Sequence, residues 1–333
     1  MSMPAPPVER TAGFGAVSRL FSACLAACGL LLSGCTTMSS PGPPGELVSR
    51  TPLAAGAEWI VVSGGGRDIR SLVLLPDGYA PGRDYPLLVA VHNFAGNAQG
   101  FAGLIHAERL RARGIILLLP QAAGRVPNWQ GPGLTLLGRA YDGDGRRVDD
   151  VSGMAAVLRV ATGLYRVDEV NVTGFSQGAT LALALTRRLD AERPGAVRRL
   201  FMVAGSARRP VDASLALAGT DLVAYEPGRN GPQAFANWLT DAPAERVFLP
   251  RILQAKGCMA PSVLNDGIER RTYGCADGHT VIHLFEAKGE HAWPGQDAKD
   301  DSWVTGRGST SRIDFTNLIA HTIAPVAGDA SER

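Results

Sequence analysis

From Ile69 onward, short apolar runs alternate with amphipathic stretches, and that alternation leaves few folds open. The runs IRSLVLLP (69–76), YPLLVAVHN (85–93), IILLLPQ (115–121), VDEVNVTG (167–174), RLFMVAGS (199–206), ASLALAG (213–219) and TVIHLFEAKG (280–289) have the length of strands. Several are apolar at consecutive positions, as strands covered on both faces must be. Between them, AQGFAGLIHAERLRARG (98–114), DDVSGMAAVLRVATGLY (149–165) and GATLALALTRRL (178–189) read as helices, and SRIDFTNLIAHTIA (311–324) as a closing helix. Asp149 and Asp150 open one of these where a carboxylate meets the helix dipole. The pattern predicts an α/β fold, a mostly parallel central sheet with helices on both faces. At 333 residues and 45% hydrophobic content the chain can fill one large core. Residues 51–325 read as one domain and 326–333 as a tail, with the weakest periodic signal over 206–279.

The N-terminus reads differently. Arg10 and Arg19 precede LFSACLAACGLLLSGC, whose apolar part is too short to span a bilayer as a mature helix. It ends in Leu32-Ser33-Gly34-Cys35, which resembles the lipobox of bacterial lipoproteins. That resemblance implies a signal peptide over 1–34, cut before a Cys35 that carries acyl chains, and so a membrane partner and an envelope location. Several chains anchor far more firmly than one. Residues 35–50, rich in Ser, Pro and Gly, read as a tether.

Cys24 and Cys28 leave with the signal, so Cys258 and Cys275 remain as one pair in a compartment that permits disulfides. The formal net charge of +2 and scattered arginines offer no surface for nucleic acid. No His or Cys spacing supports a metal site, and no cofactor motif appears.

Chemistry concentrates in EVNVTGFSQGATLALAL (169–185). Gly-x-Ser-x-Gly is weak alone, but here it lies between a strand and a small-residue helix. A serine on such a turn takes an unfavourable backbone conformation, and flanking glycines let the two elements approach. Ser176 is therefore the candidate nucleophile, with the Gln177 N–H as an oxyanion donor at the helix N-terminus. Its base must follow in the chain. His279 and His283 straddle a strand and His321 lies in a helix, whereas His291 follows a strand in AKGEHAWPG, a loop of the kind that carries sites. For the acid, Asp221 is expected just past the strand 213–219, with Asp241 and Asp266 in reserve. The loop HNFAGNAQG (92–100) offers the Phe94 N–H as second oxyanion donor. His92 reads as support for that loop or as a pocket residue. Trp129 and Trp293 are candidates to line a substrate pocket, the alternative being loop packing.

Taken together, HNFAG (92–96), NWQ (128–130), DDV (149–151), GFSQG (174–178), GTDLVAY (219–225), the Cys258/Cys275 pair and GEHAWPG (289–295) resemble the α/β-hydrolases of the polyhydroxybutyrate depolymerase and feruloyl esterase group. The resemblance implies the α/β-hydrolase fold and ester hydrolysis without metal or organic cofactor. It casts Ser176 as nucleophile, His291 as base and Asp221 as orienting acid. The expected substrate is a small or oligomeric hydroxyalkanoate, aryl or short-chain ester. Asn93 stands where the group has glycine, and no segment of the sequence reads as a separate polymer-binding domain, so soluble or short esters are expected. Two rival readings are an idle α/β-hydrolase serving as an envelope binding protein, and a thioesterase or peptidase.

Overall fold

The structure is a computed structural model, which describes residues 45–54, 56–131, 145, 147–207, 217–228, 242–295, 301–302, 306–307 and 312–325. The expected signal, Cys35 and most of the tether lie outside these residues, as does Asp241.

In chain order the elements are β1 (Glu46–Pro52), β2 (Ala57–Gly64), β3 (Arg67–Leu74), β4 (Tyr85–Val91), α1 (Ala98–Leu104), α2 (Ala107–Ala112), β5 (Ile116–Pro120), α3 (Asp150–Leu164), β6 (Val167–Phe175), α4 (Gln177–Glu192), β7 (Arg199–Val203), β8 (Ser206–Ala207), β9 (Asp221–Pro227), β10 (Ala242–Pro243), α5 (Ala244–Ala255), β11 (Ser262–Asn265), β12 (Glu269–Gly274), β13 (Thr280–Glu286), β14 (Asp301–Ser302), β15 (Gly306–Arg307) and α6 (Phe315–Ile323). Eleven strands form one sheet in the order β1-β2-β3-β5-β4-β6-β7-β9-β13-β12-β11. The six from β5 to β13 are parallel, as expected. Antiparallel wings flank them, β3-β2-β1 on one side and β12-β11 on the other.

The consecutive apolar residues of the inner strands are explained by two cores, one on each face. Leu87, Val89 and Val91 of β4 pack with Ile116 and Leu118 of β5 against α3, α4 and α5. Leu88 and Ala90 pack with Leu117 and Leu119 against α1, α2 and α6 on the other face. Asp149 caps α3, accepting from Val151 N at 3.0 Å and Ser152 N at 3.3 Å. The helix expected over 98–114 is two helices, because His106 takes φ 48° between them. Cys258 and Cys275 form a disulfide, which ties the end of α5 to the turn entering β13.

One element differs in a way that matters for the site. Of the strand expected over 213–219, residues 213–216 lie outside the described residues, whereas Ala218 and Gly219 form a turn and a strand runs from Asp221 to Pro227. The two stretches satisfy the same apolar pattern. What separates them is the turn at Gly219, at φ 80°, where a Cβ would lie 2.8 Å from Gly195 Cα.

Candidate active site

β6 delivers Ser176 at its carboxyl end and α4 departs immediately after. Ser176 has φ 56° and ψ −122°, a conformation that costs an L-residue roughly 1–3 kcal/mol and persists only where its surroundings impose it. Those surroundings can be named. The Ser176 N–H donates to Val203 O at 2.9 Å, which ties the turn to the end of β7. A Cβ at Gly174 would stand 2.3 Å from Gly178 O, and one at Gly178 would stand 2.2 Å from Val91 O. Backbone meets backbone at both positions, so both must be glycine.

Although Ser176 is the N-cap of α4, its side chain does not cap the helix. Its Oγ lies instead 3.0 Å from Nε2 of His291. His291 follows β13 in a loop rooted by Trp293, whose Nε1–H donates to Thr316 Oγ1 at 3.0 Å. Thr316 Oγ1 in turn donates to Ile105 O at 3.0 Å. The Phe175 ring stands 5.1 Å from the imidazole. Burial penalises the imidazolium and pushes the His291 pKa down to about 4. At neutral pH the ring is therefore neutral, the form a general base requires.

Gln177 and Phe94 leave the sheet side by side, since Val91 pairs with Gly174 in the β4–β6 ladder. The Phe94 N–H has no hydrogen-bond partner among the described residues. Gln177 opens α4, where the first backbone N–H groups lie beyond the reach of intrahelical acceptors.

One expectation requires correction, and at three further residues the structure decides between the readings left open. Asp221 is remote from His291. It opens β9 level with Arg199 of β7, whereas Val203, beside the Ser176 turn, is level with Tyr225. Four residues of strand separate those levels, about 13 Å. A strand that begins at Asp221 puts it at the amino edge of the sheet, not at the carboxyl edge expected. His92 is fully buried, with Nδ1 2.7 Å from Asn93 O and Nε2 accepting from Ala122 N at 3.1 Å. It supports its loop from within the core. Trp129 is also fully buried, with its Nε1–H donating to His92 O at 2.7 Å and its ring 4.7 Å from the imidazole. Trp293 is enclosed edge-on by Phe101, Phe175 and Phe315. Both tryptophans hold loops in place. Of the reserve acids, Asp266 is exposed in the β11–β12 turn, and Asp241 falls outside the described residues.

Three polar groups near the site escaped the sequence reading although their motifs were visible. They are Asn128 in NWQ, the Asp150 carboxylate in DDV and the side-chain amide of Gln177. Asp150 is buried, accepting from Arg67 Nε at 2.6 Å and from Gln130 N at 2.7 Å. Among the described residues there is no group of three or more His, Cys, Asp or Glu able to hold a metal.

No protein-family model and no curated protein matches the chain. Solved structures do. The acetyl xylan esterase from Aspergillus awamori is 18% identical, with a TM-score of 0.50 over 71% of this chain and 93% of that one. A dienelactone hydrolase-like promiscuous phosphotriesterase from metagenomic libraries is 15% identical, with a TM-score of 0.49 over 80% and 94%. With the sheet order and the turn at Ser176, the likeness to the acetyl xylan esterase establishes the α/β-hydrolase fold.

Proposed function

We propose that this chain is a serine hydrolase of carboxylic esters (hydroxyalkanoate, aryl or short-chain), held at the cell envelope by a lipidated Cys35. One observation carries the catalytic reading. Ser176 is held at positive φ on a strand-to-helix turn, with its Oγ 3.0 Å from the Nε2 of a neutral imidazole. Structural burial alone gives no reason for that strain, whereas presenting a nucleophile does.

The chemistry follows from the geometry. Ser176 Oγ bonds to the ester carbonyl carbon as its proton passes to His291 Nε2. The carbonyl π pair moves onto oxygen, where the N–H groups of Gln177 and Phe94 receive the charge. Donors fixed in advance at such a position contribute about 10²–10³ each in rate. The C–O bond to the alcohol then breaks, and His291 returns the proton to the leaving oxygen. Water attacks the acyl-enzyme, gives its proton to His291, and Ser176 departs with it. An acid that orients His291 is sought after β9, whose carboxyl end faces the site. Asp241 is the only Asp or Glu among residues 228–241.

The test is fluorophosphonate labelling of the purified protein with peptide mapping. The expected adduct sits on Ser176, is absent in Ser176→Ala and forms slowly in His291→Ala. Ester turnover retained by Ser176→Ala would sink the assignment. A folded wild-type protein that takes no label favours the envelope binding protein. The anchor rests on Leu32-Ser33-Gly34-Cys35 and is checked separately by the mass of the mature N-terminal peptide. A diacylglyceryl-bearing Cys35 is expected, and an unmodified or differently cut terminus overturns it.

A further inference from the structure

We infer that the side chain of Gln177 is a positioning residue for the oxyanion site, setting the distance between the two backbone donors. The inference rests on the hydrolase reading above and goes beyond it. The Gln177 carboxamide is buried and spans two elements. Its Oε1 accepts from Trp129 N at 3.2 Å, and its Nε2 donates to Trp129 O at 3.3 Å and to Asn128 Oδ1 at 2.8 Å. This amide-to-backbone pairing makes the first residue of α4 one unit with the loop 121–130.

That loop is itself fastened to the segment that carries Phe94. Ala122 N donates to His92 Nε2 at 3.1 Å, and Trp129 Nε1 to His92 O at 2.7 Å. Ala95 N donates to Pro127 O at 2.8 Å, and Ala98 N to Gln121 Oε1 at 2.9 Å. At the far end of the loop, Gln130 N donates to the buried Asp150 carboxylate at 2.7 Å. The path Gln177 side chain, Trp129 backbone and indole, His92 backbone, Phe94 therefore closes a ring with the β4–β6 ladder. The two proposed donors lie on opposite sides of that ring. Removing the carboxamide opens it on the Gln177 side, leaving the spacing to the ladder and to the close packing of Gly178 on Val91 and His92. The Ser176 Oγ–His291 Nε2 hydrogen bond uses no atom of this carboxamide.

The effect belongs in the transition state, where the oxyanion forms, and not in ground-state binding. Gln177→Met keeps the volume and removes these three bonds. It is expected to lower kcat roughly 10- to 100-fold, short of the loss of a whole donor, with KM within about threefold of wild type. Gln177→Glu supplies the distinguishing signature. An ionised carboxylate faces two acceptors, Trp129 O and Asn128 Oδ1, whereas the protonated acid restores a donor and an acceptor. Activity of Gln177→Glu relative to wild type is expected to recover as pH falls from 8 to 5, which a merely structural role does not produce.

The experiment measures kcat and KM of wild type, Gln177→Met and Gln177→Glu on a p-nitrophenyl ester across that pH range, with melting temperatures alongside. An active wild type with a Gln177→Met kcat within threefold overturns this inference and leaves the hydrolase reading standing. A pH-independent loss in Gln177→Glu overturns it as well. A wild type that turns over no ester and takes no fluorophosphonate overturns both. Should Gln177→Met fail to fold, recovery of Gln177→Glu at low pH carries the test.

Discussion

Asp221 Oδ1 lies 3.1 Å from Nδ1 of His279 and accepts from Thr280 N at 2.9 Å, at the amino edge of the sheet. Arg198 approaches its other oxygen at 3.9 Å. These contacts hold the start of β9 to the turn entering β13, on the edge opposite Ser176. Asp221→Asn keeps an acceptor for Thr280 N and is expected to leave kcat within about twofold while lowering stability by about 1 kcal/mol. Steady-state kinetics and urea melts check both halves. An orienting acid changed to its amide costs about 10⁴ in kcat, so a loss of that size would return Asp221 to the site. Asp241→Asn is the variant to measure beside it.

A pH–rate profile tests the environment of His291. Burial holds its pKa near 4, below the ordinary 6.5. The neutral base thus survives acidification that would protonate an exposed histidine, and kcat/KM is expected to fall only as pH drops through about 4. An acid limb centred near 6.5 would mean that the imidazole is solvated in the working enzyme.

His92 applies the same physics to stability. Desolvation, aided by the charge of Arg67, depresses its pKa to about 4. The unfolded chain then takes up the proton first. Stability is flat above pH 6.5 and declines as pH falls toward 4, by up to about 3 kcal/mol from this residue. Denaturant midpoints at pH 7.5, 5.5 and 4.5 measure it, and a flat response between 7.5 and 4.5 contradicts it.

The parts of the molecule readable from sequence are those where one physical demand admits one residue pattern. Strands buried on both faces must be apolar throughout, so β4 and β5 stand out, and a strand-to-helix turn under backbone crowding requires Gly174 and Gly178. The wings offered no such demand, since β1 and β11 are exposed along their whole length. The Asp221 error has a definite cause. The pattern does not show where the strand DLVAYEP begins, and the turn at Gly219, packed against Gly195, is what places Asp221 at its start. Trp129 and Trp293 were ambiguous for a related reason. A tryptophan in a loop near a site has the same sequence whether its ring faces substrate or core.

Two glycine-to-alanine changes separate crowding from flexibility. At Gly178 the new methyl would meet Val91 O at 2.2 Å and His92 O at 2.4 Å, both backbone atoms. Nothing there can move without displacing β4, so Gly178→Ala is expected to cost about 3 kcal/mol or more and to abolish labelling of Ser176. At Gly163, exposed in α3, a Cβ meets nothing within 4 Å. Gly163→Ala is expected to stabilise by about 0.5–1 kcal/mol without changing kcat. Calorimetry of both variants decides the matter, and a Gly178→Ala protein that melts like wild type would refute the elbow geometry.

The disulfide makes a prediction about what it does not do. Cys258 and Cys275 are 17 residues apart in sequence, and they join α5 to the amino edge of β13. Lys256, two residues before Cys258, reinforces the same corner. Its buried Nζ donates to Leu217 O at 2.7 Å and Thr220 O at 3.1 Å, and pairs with Asp277. Closing a loop of this size removes enough freedom from the unfolded chain to stabilise by about 3 kcal/mol. Replacing both cysteines by alanine is therefore expected to lower Tm by roughly 4–6 °C in a domain of this size. Ser176 and His291 stand at the opposite edge, with the length of β9 and β13 between them and this corner. The kcat of the double variant at 25 °C is accordingly expected to equal that of wild type. If kcat falls together with Tm, the amino edge is mechanically coupled to the His291 loop, and β13 is the path to test next.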